Sequence, residues 1–356
     1  MQKLRVGVLM GGRSVEKEVS FNSGRTICDH LDSSRYDVIP IFQQQAGQLF
    51  ILPPRFLCRG KISDFEHRLT QEAQAISWDD LKNTVDFMYL AIHGRYAEDG
   101  TAQGMLEVLG IPYLGAKVFA SALGMDKIIQ KDFLRMHGID VARDIILTPH
   151  DITPENSEQI ISRMQKNGFT FPCVVKPHKE GSSLGMTLVT QPTDLYAALQ
   201  LACTIHPGMK QDVLVEEKIE GMEFTCIILT DYLTGEPILL PPTEVVPENG
   251  FFDYEQKYMP GRATKFTPAR CSTENIHAIQ LACLQTMRAL EFENIARIDG
   301  FLTSDGRVVI IDPNSLTGMA PSSFLFRQAA EVNMNHTHLI NHLIETELQY
   351  YGLLQK

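Results

Sequence analysis

Paired cysteines and long apolar runs are both missing from this 356-residue sequence. Its seven cysteines are scattered and none forms a C-x-x-C pair, so the pattern indicates neither a disulfide framework nor a zinc site. No stretch approaches the roughly 20 apolar residues that cross a bilayer, and the apolar run 6–10 is far too short for a signal-peptide core. We therefore expect a cytoplasmic protein with reduced thiols and no membrane partner.

Positive charge is also scarce. The 32 lysines and arginines are outnumbered by 43 aspartates and glutamates, which gives a formal net charge of -11. This balance argues against nucleic acid as the main partner, because phosphate backbones require a basic face. A small anionic ligand is still compatible with it, because such a ligand needs only a few local cations. The 44% hydrophobic content is that of a globular protein, and the length indicates two or three domains.

Apolar runs alternate with helical spacing in the first 115 residues. The predicted elements are strands at 4–10, 36–42 and 87–92 and a helix at 15–31. Ser14 is a plausible N-cap of that helix. Strands separated by helices indicate a parallel α/β sheet, in which ligand-binding loops lie beyond the C-terminal ends of the strands. The loops 11–16 and 93–100 occupy that position.

The rest of the chain has a different pattern, with a smaller unit followed by a largely antiparallel sheet. Helices are predicted at 126–137, at 274–290 and in the tail from residue 326. Strands are predicted at 145–147, 173–176, 213–217, 224–229, 239–246, 295–302 and 308–311. The dipeptide Asp305-Gly306 between the last two strands is a strong hairpin signal.

The segment 171–186 reads F-P-C-V-V-K-P-H-K-E-G-S-S-L-G-M and combines a strand, a lysine and a loop of small residues. Pro177 ends the strand because it has no backbone N–H. The glycines and serines that follow leave backbone N–H groups and hydroxyls available to a ligand. Lys176 beside such a loop suits nucleotide phosphates, whereas an ordinary hairpin with a surface lysine is the competing interpretation.

Acidic and amide groups end the two strands of the last hairpin. Asp299 follows Ala-Arg-Ile, and Asp312 is followed two residues later by Asn314. On neighbouring antiparallel strands these side chains could converge on one face. Two carboxylates and one amide oxygen suit Mg²⁺ that is held together with substrate phosphates. Two solvated aspartates are the alternative, and the nearby phosphate loop makes the metal site the favoured interpretation.

Three further groups give weaker signals. Glu216 and Glu223 flank a strand and turn, where they could bind an adenine amine or ribose hydroxyls, although surface glutamates look the same. His93 and Glu98 lie in a loop beyond a parallel strand and could orient a substrate, or form only a polar turn. The tail histidines lack a carboxylate at helical spacing, so we expect a helix surface and no second metal site at His336, His338 and His342.

Several short motifs follow one another along the chain, beginning with G-G-R-S-V-E-K-E-V-S at 11–20. The others are 93–94 with 98–104, 111–115, 120–122, 125–127, 252–254, 257–258 and 296–299. Together with the lysine strand and its Gly-Ser-Ser loop, they resemble the D-alanine–D-alanine ligases of the ATP-grasp superfamily over nearly the whole length. So many matches in one order are highly specific to that family.

The resemblance implies an α/β protein, α+β in its C-terminal half, with a three-domain ATP-grasp fold. An N-terminal parallel-sheet domain at 1–115 would bind the first substrate. A central ATP-grasp subdomain at 116–213 would carry the phosphate loop. A C-terminal ATP-grasp domain at 214–356 would carry the metal, ribose and second-substrate sites, with nucleotide clamped between the last two.

The resemblance also implies a role for each matching polar residue. The nucleotide would be bound by Lys127, Lys176, Ser183, Glu216 and Glu223. The amino acids and the reacting groups would be served by Glu16, His93, Glu98, Ser182, Lys257, Tyr258, Arg297, Gly318 and Ser323. Two Mg²⁺ ions, with Mn²⁺ as a possible substitute, would be held by Asp299, Asp312 and Asn314.

Within that set, the resemblance implies that Glu16 binds the ammonium group of the first amino acid. It also implies that Glu16, Ser182 and Tyr258 form a hydrogen-bonded group that closes the site. Arg297 and backbone N–H groups near Gly318 would stabilise the oxyanion. The second carboxylate would be held in part by Ser323. The lysines Lys127 and Lys176 would contact phosphates, Glu216 the adenine region and Glu223 the ribose.

The sequence departs from the family pattern in the metal-binding and second-substrate loop. Asp312 replaces the usual glutamate and is one methylene shorter, about 1.5 Å less reach. The stretch 314–320 reads N-S-L-T-G-M-A and lacks the usual proline before its glycine. Phe324 occupies a position where the family usually has a smaller aliphatic residue. These changes concern the identity of the second substrate.

The activity implied by the resemblance is ATP-dependent joining of two D-alanines through an acyl phosphate, which releases ADP and phosphate and supplies the dipeptide for peptidoglycan precursors in cell-wall biogenesis. One alternative is a ligase of the same family with another acceptor, such as D-lactate, D-serine or a different amino acid. Another is a nucleotide-binding homologue that has lost catalysis. Because family members are commonly homodimers, a second copy of the chain is the expected partner.

Overall fold

The structure is a computed structural model and describes residues 3–58, 60–205, 208–247 and 263–354. Its strands, numbered in chain order, are β1 Leu4–Gly11, β2 Tyr36–Gln43, β3 Leu49–Ile51, β4 Gln74–Ile76, β5 Phe87–Leu90, β6 Asp144–Leu147, β7 Cys173–Pro177, β8 Thr187–Val189, β9 Val213–Glu217, β10 Met222–Thr230, β11 Pro237–Leu239, β12 Thr243–Pro247, β13 Ala263–Phe266, β14 Ile295–Leu302 and β15 Val308–Asn314. They form three sheets, so the predicted mixed α/β class is confirmed.

The α-helices of the described residues are α1 Lys17–His30, α2 Pro54–Leu57, α3 Leu69–Glu72, α4 Leu81–Thr84, α5 Thr101–Leu109, α6 Val118–Met125, α7 Lys127–Met136, α8 Ser157–Lys166, α9 Leu195–Cys203, α10 Thr273–Ala289, α11 Phe324–Glu331 and α12 His336–Tyr350. None of these helices has the length and apolar character that a bilayer crossing requires. The predicted boundaries of the longer helices agree with the structure to within about two residues.

The first sheet has the strand order β4-β3-β2-β1-β5. β1 lies between β2 and β5 and is parallel to both, as the alternation of strands and helices predicted. The strands β3 and β4 add an antiparallel edge, so the sheet is mixed and the expectation of a purely parallel sheet is wrong at this edge. Both strands have only three residues, too few for a reliable pattern in the sequence.

The second sheet has the order β6-β9-β7-β8 and is antiparallel throughout. β9 spans the domain boundary expected at 213/214, yet it pairs with β6 and β7 over its whole length. If the chain is divided so that each sheet stays whole, the boundary between the second and third sheets falls after Glu217. The hydrophobic core of this unit is formed by β6–β9 with the apolar faces of α8 and α9.

The third sheet has the order β13-β12-β10-β14-β15, with β11 paired to β10. Its pairs are antiparallel, as predicted. The single strand predicted at 239–246 is divided into β11 and β12, because Pro241 and Pro242 have no backbone N–H to donate within a sheet. The predicted hairpin turn joins β14 to β15, and Gly306 adopts the left-handed conformation there, with φ of +85°.

The C-terminal helix α12 returns to the first sheet. Its apolar residues share one hydrophobic core with β1, β2 and β5. The side chain of Asn341 donates to the backbone oxygen of His30 (2.9 Å) and accepts from the backbone N–H of Asp32 (2.9 Å). Near the other end of α12, the buried Glu347 carboxylate accepts from Lys117 Nζ (3.1 Å) and from the backbone N–H of Gly115 (3.1 Å).

Candidate active site

The three sheets meet around a cavity of about 410 Å³ that adjoins a second cavity of about 400 Å³. Most of the residues singled out in the sequence line the first cavity: Glu16, His93, Glu98, Lys127, Lys176, Ser182, Ser183, Glu223, Arg297, Asp299, Asp312, Asn314, Gly318 and Ser323. Glu216 lines the second cavity, which shares the walls formed by Lys176 and Glu223. Lys257 and Tyr258 lie outside the described residues.

One end of the first cavity is built around Glu16, the residue before α1. The hydroxyl of Ser182 donates to Glu16 Oε1 across 166 positions of sequence, so the loop after β7 reaches the first sheet. Gly94 has a φ of +76°, and a Cβ atom at this position would collide with Glu16 Oε2. Glycine is therefore required where the loop after β5 passes this carboxylate.

Ser14, predicted as the N-cap of α1, has another role. Its hydroxyl donates to the backbone oxygen of His93 (2.6 Å) and accepts from the backbone N–H of Glu16 (3.1 Å). Helix α1 begins at Lys17 with Glu16 in the capping position. Ser14 thus fixes Glu16 relative to the loop after β5, which is a connection that local helix-capping rules do not predict.

His93 and Glu98 are close together at the same end. His93 is buried, its Nε2 lies 3.2 Å from the hydroxyl of Ser23, and its Nδ1 lies 3.9 Å from Glu98 Oε2. Glu98 also accepts from the backbone N–H of Gly94 (2.6 Å). The pair is therefore held by its own loop and by α1, and it forms a fixed polar wall beside Glu16.

The loop between β7 and β8 carries the serines that were assigned from the sequence to a phosphate-binding loop. Ser182 and Ser183 adopt left-handed backbone conformations with φ of +54° and +56°, which are uncommon for residues other than glycine. Lys127, the first residue of α7, donates from Nζ to the backbone oxygen of Glu180 (2.7 Å). Its Nζ also lies 3.7 Å from Asp312 Oδ1. A cation therefore joins this loop to the acidic end of the third sheet.

The acidic end is formed by β14 and β15. Asp299 and Asp312 are directly paired across the two strands, and Arg297 is paired with Asn314. The hydroxyl of Thr225 donates to Asp299 Oδ1 (2.8 Å), while Arg297 lies 3.3 Å from Asp299 Oδ2. The predicted convergence of the two carboxylates thus follows from strand register. Among the described residues, no group of three or more histidine, cysteine or acidic side chains is placed to hold a metal.

Glu216 lies in a buried charge network at the back of the second cavity. Its carboxylate is 2.6 Å from Lys131 Nζ and 2.5 Å from Lys176 Nζ. Lys131 also contacts Asp144 Oδ1 (3.2 Å), which is paired with Arg135. Burial acts to raise the pKa of Glu216, but the two lysines outweigh it and hold that pKa below its usual value. Glu216 is therefore ionised at neutral pH.

A further part of the first cavity's lining lies at the start of α11. Ser323 is the N-cap residue of this helix, but its side chain makes no capping bond. Within the described part of the chain, its buried hydroxyl has no hydrogen-bond partner. The ammonium of Lys265 lies 4.3 Å from the centroid of the Phe324 ring. Burial and Arg327 lower the pKa of Lys265.

Two lysines that the structure places at or beside the site were not identified from the sequence. Lys131 follows Lys127 by four positions and therefore lies on the same face of α7, a spacing that could have identified it. Lys265 lies in a short strand with no motif around it. The tail histidines are apart from the site, but the expected helix surface is wrong for His342, which is buried and lies 2.8 Å from the backbone oxygen of Thr230. The ring of His336 stacks on Phe326.

Two family models match this chain. The family model described as "D-ala D-ala ligase N-terminus" matches residues 5–116, and that described as "D-ala D-ala ligase C-terminus" matches residues 133–345. The chain belongs to the D-alanine–D-alanine ligase family. The resemblance drawn from the sequence is thereby confirmed, and the family is one of ATP-dependent ligases of the ATP-grasp type.

Relatives within this family are similar over almost their entire length. A D-alanine–D-alanine ligase of Geobacillus thermodenitrificans is 32% identical over 363 residues, with 98% of this chain and 96% of the relative covered. One from Geobacter sulfurreducens is 33% identical over 354 residues, with 99% and 97% covered. The family assignment therefore concerns nearly the whole chain.

Solved structures of family members share the fold. The VanG D-Ala:D-Ser ligase of Enterococcus faecalis has a TM-score of 0.84 at 26% identity, with 97% of this chain and 100% of that chain covered. The D-alanine–D-alanine ligase of Bacillus anthracis complexed with ATP has a TM-score of 0.74 at 28% identity, with 98% and 99% covered. The three-sheet architecture is thus that of the family.

Proposed function

We propose that this protein joins two D-alanines in an ATP-dependent reaction, forming D-alanyl-D-alanine, ADP and phosphate. The observation that carries the proposal is the single cavity that brings together Glu16 with Ser182, the lysine Lys127, and the paired carboxylates of Asp299 and Asp312. In a chain of this family, these are an amino-acid site, a phosphate site and a metal site in one enclosure. The product serves peptidoglycan synthesis in the cytoplasm.

The residues of the first end bind and orient the first D-alanine. The Glu16 carboxylate pairs with its ammonium, and Ser182 keeps Glu16 in place while the loop after β7 covers the site. His93 and Glu98 form the wall beside it. Closing this loop excludes water, which would otherwise hydrolyse an acyl phosphate. The carboxylate of the first D-alanine then faces the phosphate-binding lysines.

The phosphate-binding residues neutralise charge during transfer to that carboxylate. Lys127 and Lys176 reach the cavity from α7 and β7, and Ser183 adds a hydroxyl from the loop. Arg297 and the backbone near Gly318 stabilise the oxyanion that forms when the second amine attacks the acyl phosphate. Lys257 and Tyr258, which lie outside the described residues, complete this set in our proposal.

The acidic end fits Mg²⁺ by its chemistry. Asp299 and Asp312 present carboxylates at directly paired positions, and Asn314 adds an amide oxygen. Such a set is smaller than an all-protein cage, which suits an ion that also binds substrate phosphates and water. When bound, Mg²⁺ would shield the phosphate oxygens from the incoming nucleophile. Two such ions, or Mn²⁺ in their place, are part of the proposal.

The nucleotide lies partly in the second cavity in this proposal. Glu216 lines it and accepts from the adenine amine, while Glu223, which lies on the wall between the two cavities, binds the ribose. We further propose the three-domain division of the family, with the second boundary after Glu217, and a homodimer as the assembled form.

The second substrate has one alternative that a specific observation favours. The D-Ala:D-Ser ligase from Enterococcus faecalis covers 97% of this chain with a TM-score of 0.84. At the acceptor end, Ser323 and the Phe324–Lys265 pair line the cavity. An acceptor other than D-alanine, such as D-serine or D-lactate, is therefore the second candidate.

Phosphate release measured with a panel of acceptors tests both candidates. D-Alanine alone with Mg·ATP should release phosphate and yield the dipeptide by mass spectrometry. D-Alanine mixed with D-serine, D-lactate or L-alanine should show which acceptor enters the product. Reactions without an amino acid are the control for ATP hydrolysis. Tight nucleotide binding without phosphate release in any mixture would identify a non-catalytic homologue and refute the proposal.

A further inference from the structure

Each of the two buried carboxylates in the network around Glu216 contacts two cations. Three cations, Lys131, Lys176 and Arg135, contact two carboxylates, Glu216 and Asp144. The side chains of Lys131, Glu216 and Asp144 are only 5–7% exposed. Arg135 has an additional exposed partner, which is Asp132. One lysine can therefore leave the network without leaving a buried carboxylate unpaired.

The two lysines that share Glu216 differ in what they can reach. Lys176 lines both cavities, including the one that contains Lys127 and Ser183. Lys131 lines neither cavity and is enclosed between α7, β6 and β9. Its second contact, with Asp144 on β6, holds it in place. Lys176 is thus the cation that can turn to a phosphate, and Lys131 is the one that stays.

We propose that Lys131 is a positioning residue that retains Glu216 when Lys176 turns from this carboxylate to the nucleotide phosphates. This inference rests on the proposed function. Without Lys131, Lys176 is the only cation among the described residues that still contacts Glu216, because Arg135 contacts Asp144. Leaving a buried carboxylate without a partner is strongly unfavourable, so Lys176 would be retained on Glu216 and withheld from the phosphates.

The pKa of Lys131 is consistent with the movement of Lys176 from Glu216 to the phosphates. Burial lowers the pKa of Lys131 to about 8, Glu216 opposes that effect, and the positive charges of Lys176 and Arg135 add to it. When Lys176 moves away, one of the charges that lowers this pKa is removed. The pKa of Lys131 then rises, so nucleotide binding near pH 8 should be coupled to proton uptake by the protein.

A pair of substitutions separates positioning from a merely structural role. Lys131→Met should lower kcat at saturating ATP by about 10- to 100-fold, because Lys176 remains on Glu216. Glu216→Gln should weaken nucleotide binding but leave Lys176 mobile. The double variant should therefore recover kcat to within a few-fold of Glu216→Gln alone. Lys166→Met, at the exposed end of α8, is the matched control and should behave as wild type.

Calorimetry supplies a readout that does not depend on turnover. Mg·ADP is titrated at pH 8 in two buffers of different ionisation enthalpy, which gives the number of protons taken up. Wild type should take up a fraction of a proton, and Lys131→Arg should take up less, because its guanidinium does not titrate near pH 8. The arginine variant also provides the test if Lys131→Met fails to fold, as judged by thermal unfolding.

Two results would overturn the inference. A double variant as slow as Lys131→Met, or slower, would show that Lys131 only supports the fold and would overturn the inference. Equal proton uptake by wild type and Lys131→Arg would overturn it as well. Dipeptide synthesis by the wild-type enzyme under the same conditions shows that the proposed function stands, whichever result the variants give.

Discussion

The pair formed by Lys117 and Glu347 allows a quantitative test of the described packing. Glu347 is 2% exposed, and Lys117 approaches it to 3.1 Å while lying 4.8 Å from the ring centroids of Tyr113, Tyr350 and Tyr351. Burial keeps the pKa of Glu347 above its usual value although Lys117 opposes this. We predict that Lys117→Met destabilises the protein, because it leaves this carboxylate buried without a cation.

The magnitude follows from the burial of the two partners. Removing one partner of a fully buried pair costs about 3–5 kcal/mol. Lys117 is 22% exposed, so we expect the lower end, about 3 kcal/mol at pH 8. About 1 kcal/mol of this belongs to the lost contacts with the tyrosine rings. The remainder is the cost of an ionised Glu347 that, within the described residues, keeps its contacts with Gly115 and Asn294 but has lost its cation.

The pH dependence has a definite sign. A carboxyl whose folded-state pKa is raised contributes stability that is fully present below its unfolded pKa, which is near 4.5, and that is lost as the pH rises through the folded value. Without Lys117 the pKa of Glu347 rises further. The cost of Lys117→Met should therefore be largest at pH 8 and should shrink towards pH 5.

Urea denaturation of four proteins measures this cost: wild type, Lys117→Met, Glu347→Gln and the double variant. In the Glu347→Gln background, the lysine substitution should cost only about 1 kcal/mol, since the neutral amide needs no counter-charge. An equal cost of Lys117→Met in both backgrounds, or a cost that does not change between pH 5 and pH 8, would refute the reasoning.

Three further predictions concern the proposed site. Lys176→Ala should reduce ATP turnover at least about 100-fold in a folded protein, and near-normal phosphate release would remove this lysine from the phosphate site. Glu16→Gln should raise KM for the first amino acid at least about tenfold while nucleotide affinity by calorimetry stays unchanged; equal losses in both would indicate a structural role. Asp312→Asn should abolish activity. Asp312→Glu should bring no gain if the backbone has moved inward to compensate for the shorter aspartate side chain. Mg²⁺ titration of phosphate release checks both variants, and a glutamate variant with higher activity at lower Mg²⁺ would show that the backbone has not moved.

The sequence predicts a contact of the site well when the two residues are close together in the chain and poorly when they are far apart. The pairing of Asp299 with Asp312 follows from strand period and one hairpin turn, so local pattern was sufficient. The contact between Glu16 and Ser182 joins two sheets, and only the family resemblance anticipated it. Lys131 was missed because a lysine on an amphipathic helix is usually solvated, and its burial depends on a glutamate 85 residues away.

The same distinction explains the errors in the fold. The proline-divided strands β11 and β12 and the short antiparallel edge β3–β4 carry little periodicity, so their pairing is decided by neighbours that the sequence does not reveal. The boundary proposed after Glu217 likewise depends on strand pairing, which local pattern does not supply. A strand that ends one sheet and precedes another is assigned by its hydrogen bonds, and these go to β6 and β7.

The return of α12 to the first sheet has a consequence for synthesis on the ribosome. The apolar residues of β1, β2 and β5 share a core with α12, which follows them far along the chain. About 230 residues separate this helix from the end of α5, and at about 5–20 residues per second they take roughly 10–50 s to translate. During that interval the nascent first sheet exposes the surface that α12 will cover. The first sheet is therefore exposed to aggregation for longer than its own length suggests, because its core is completed only when α12 has been made.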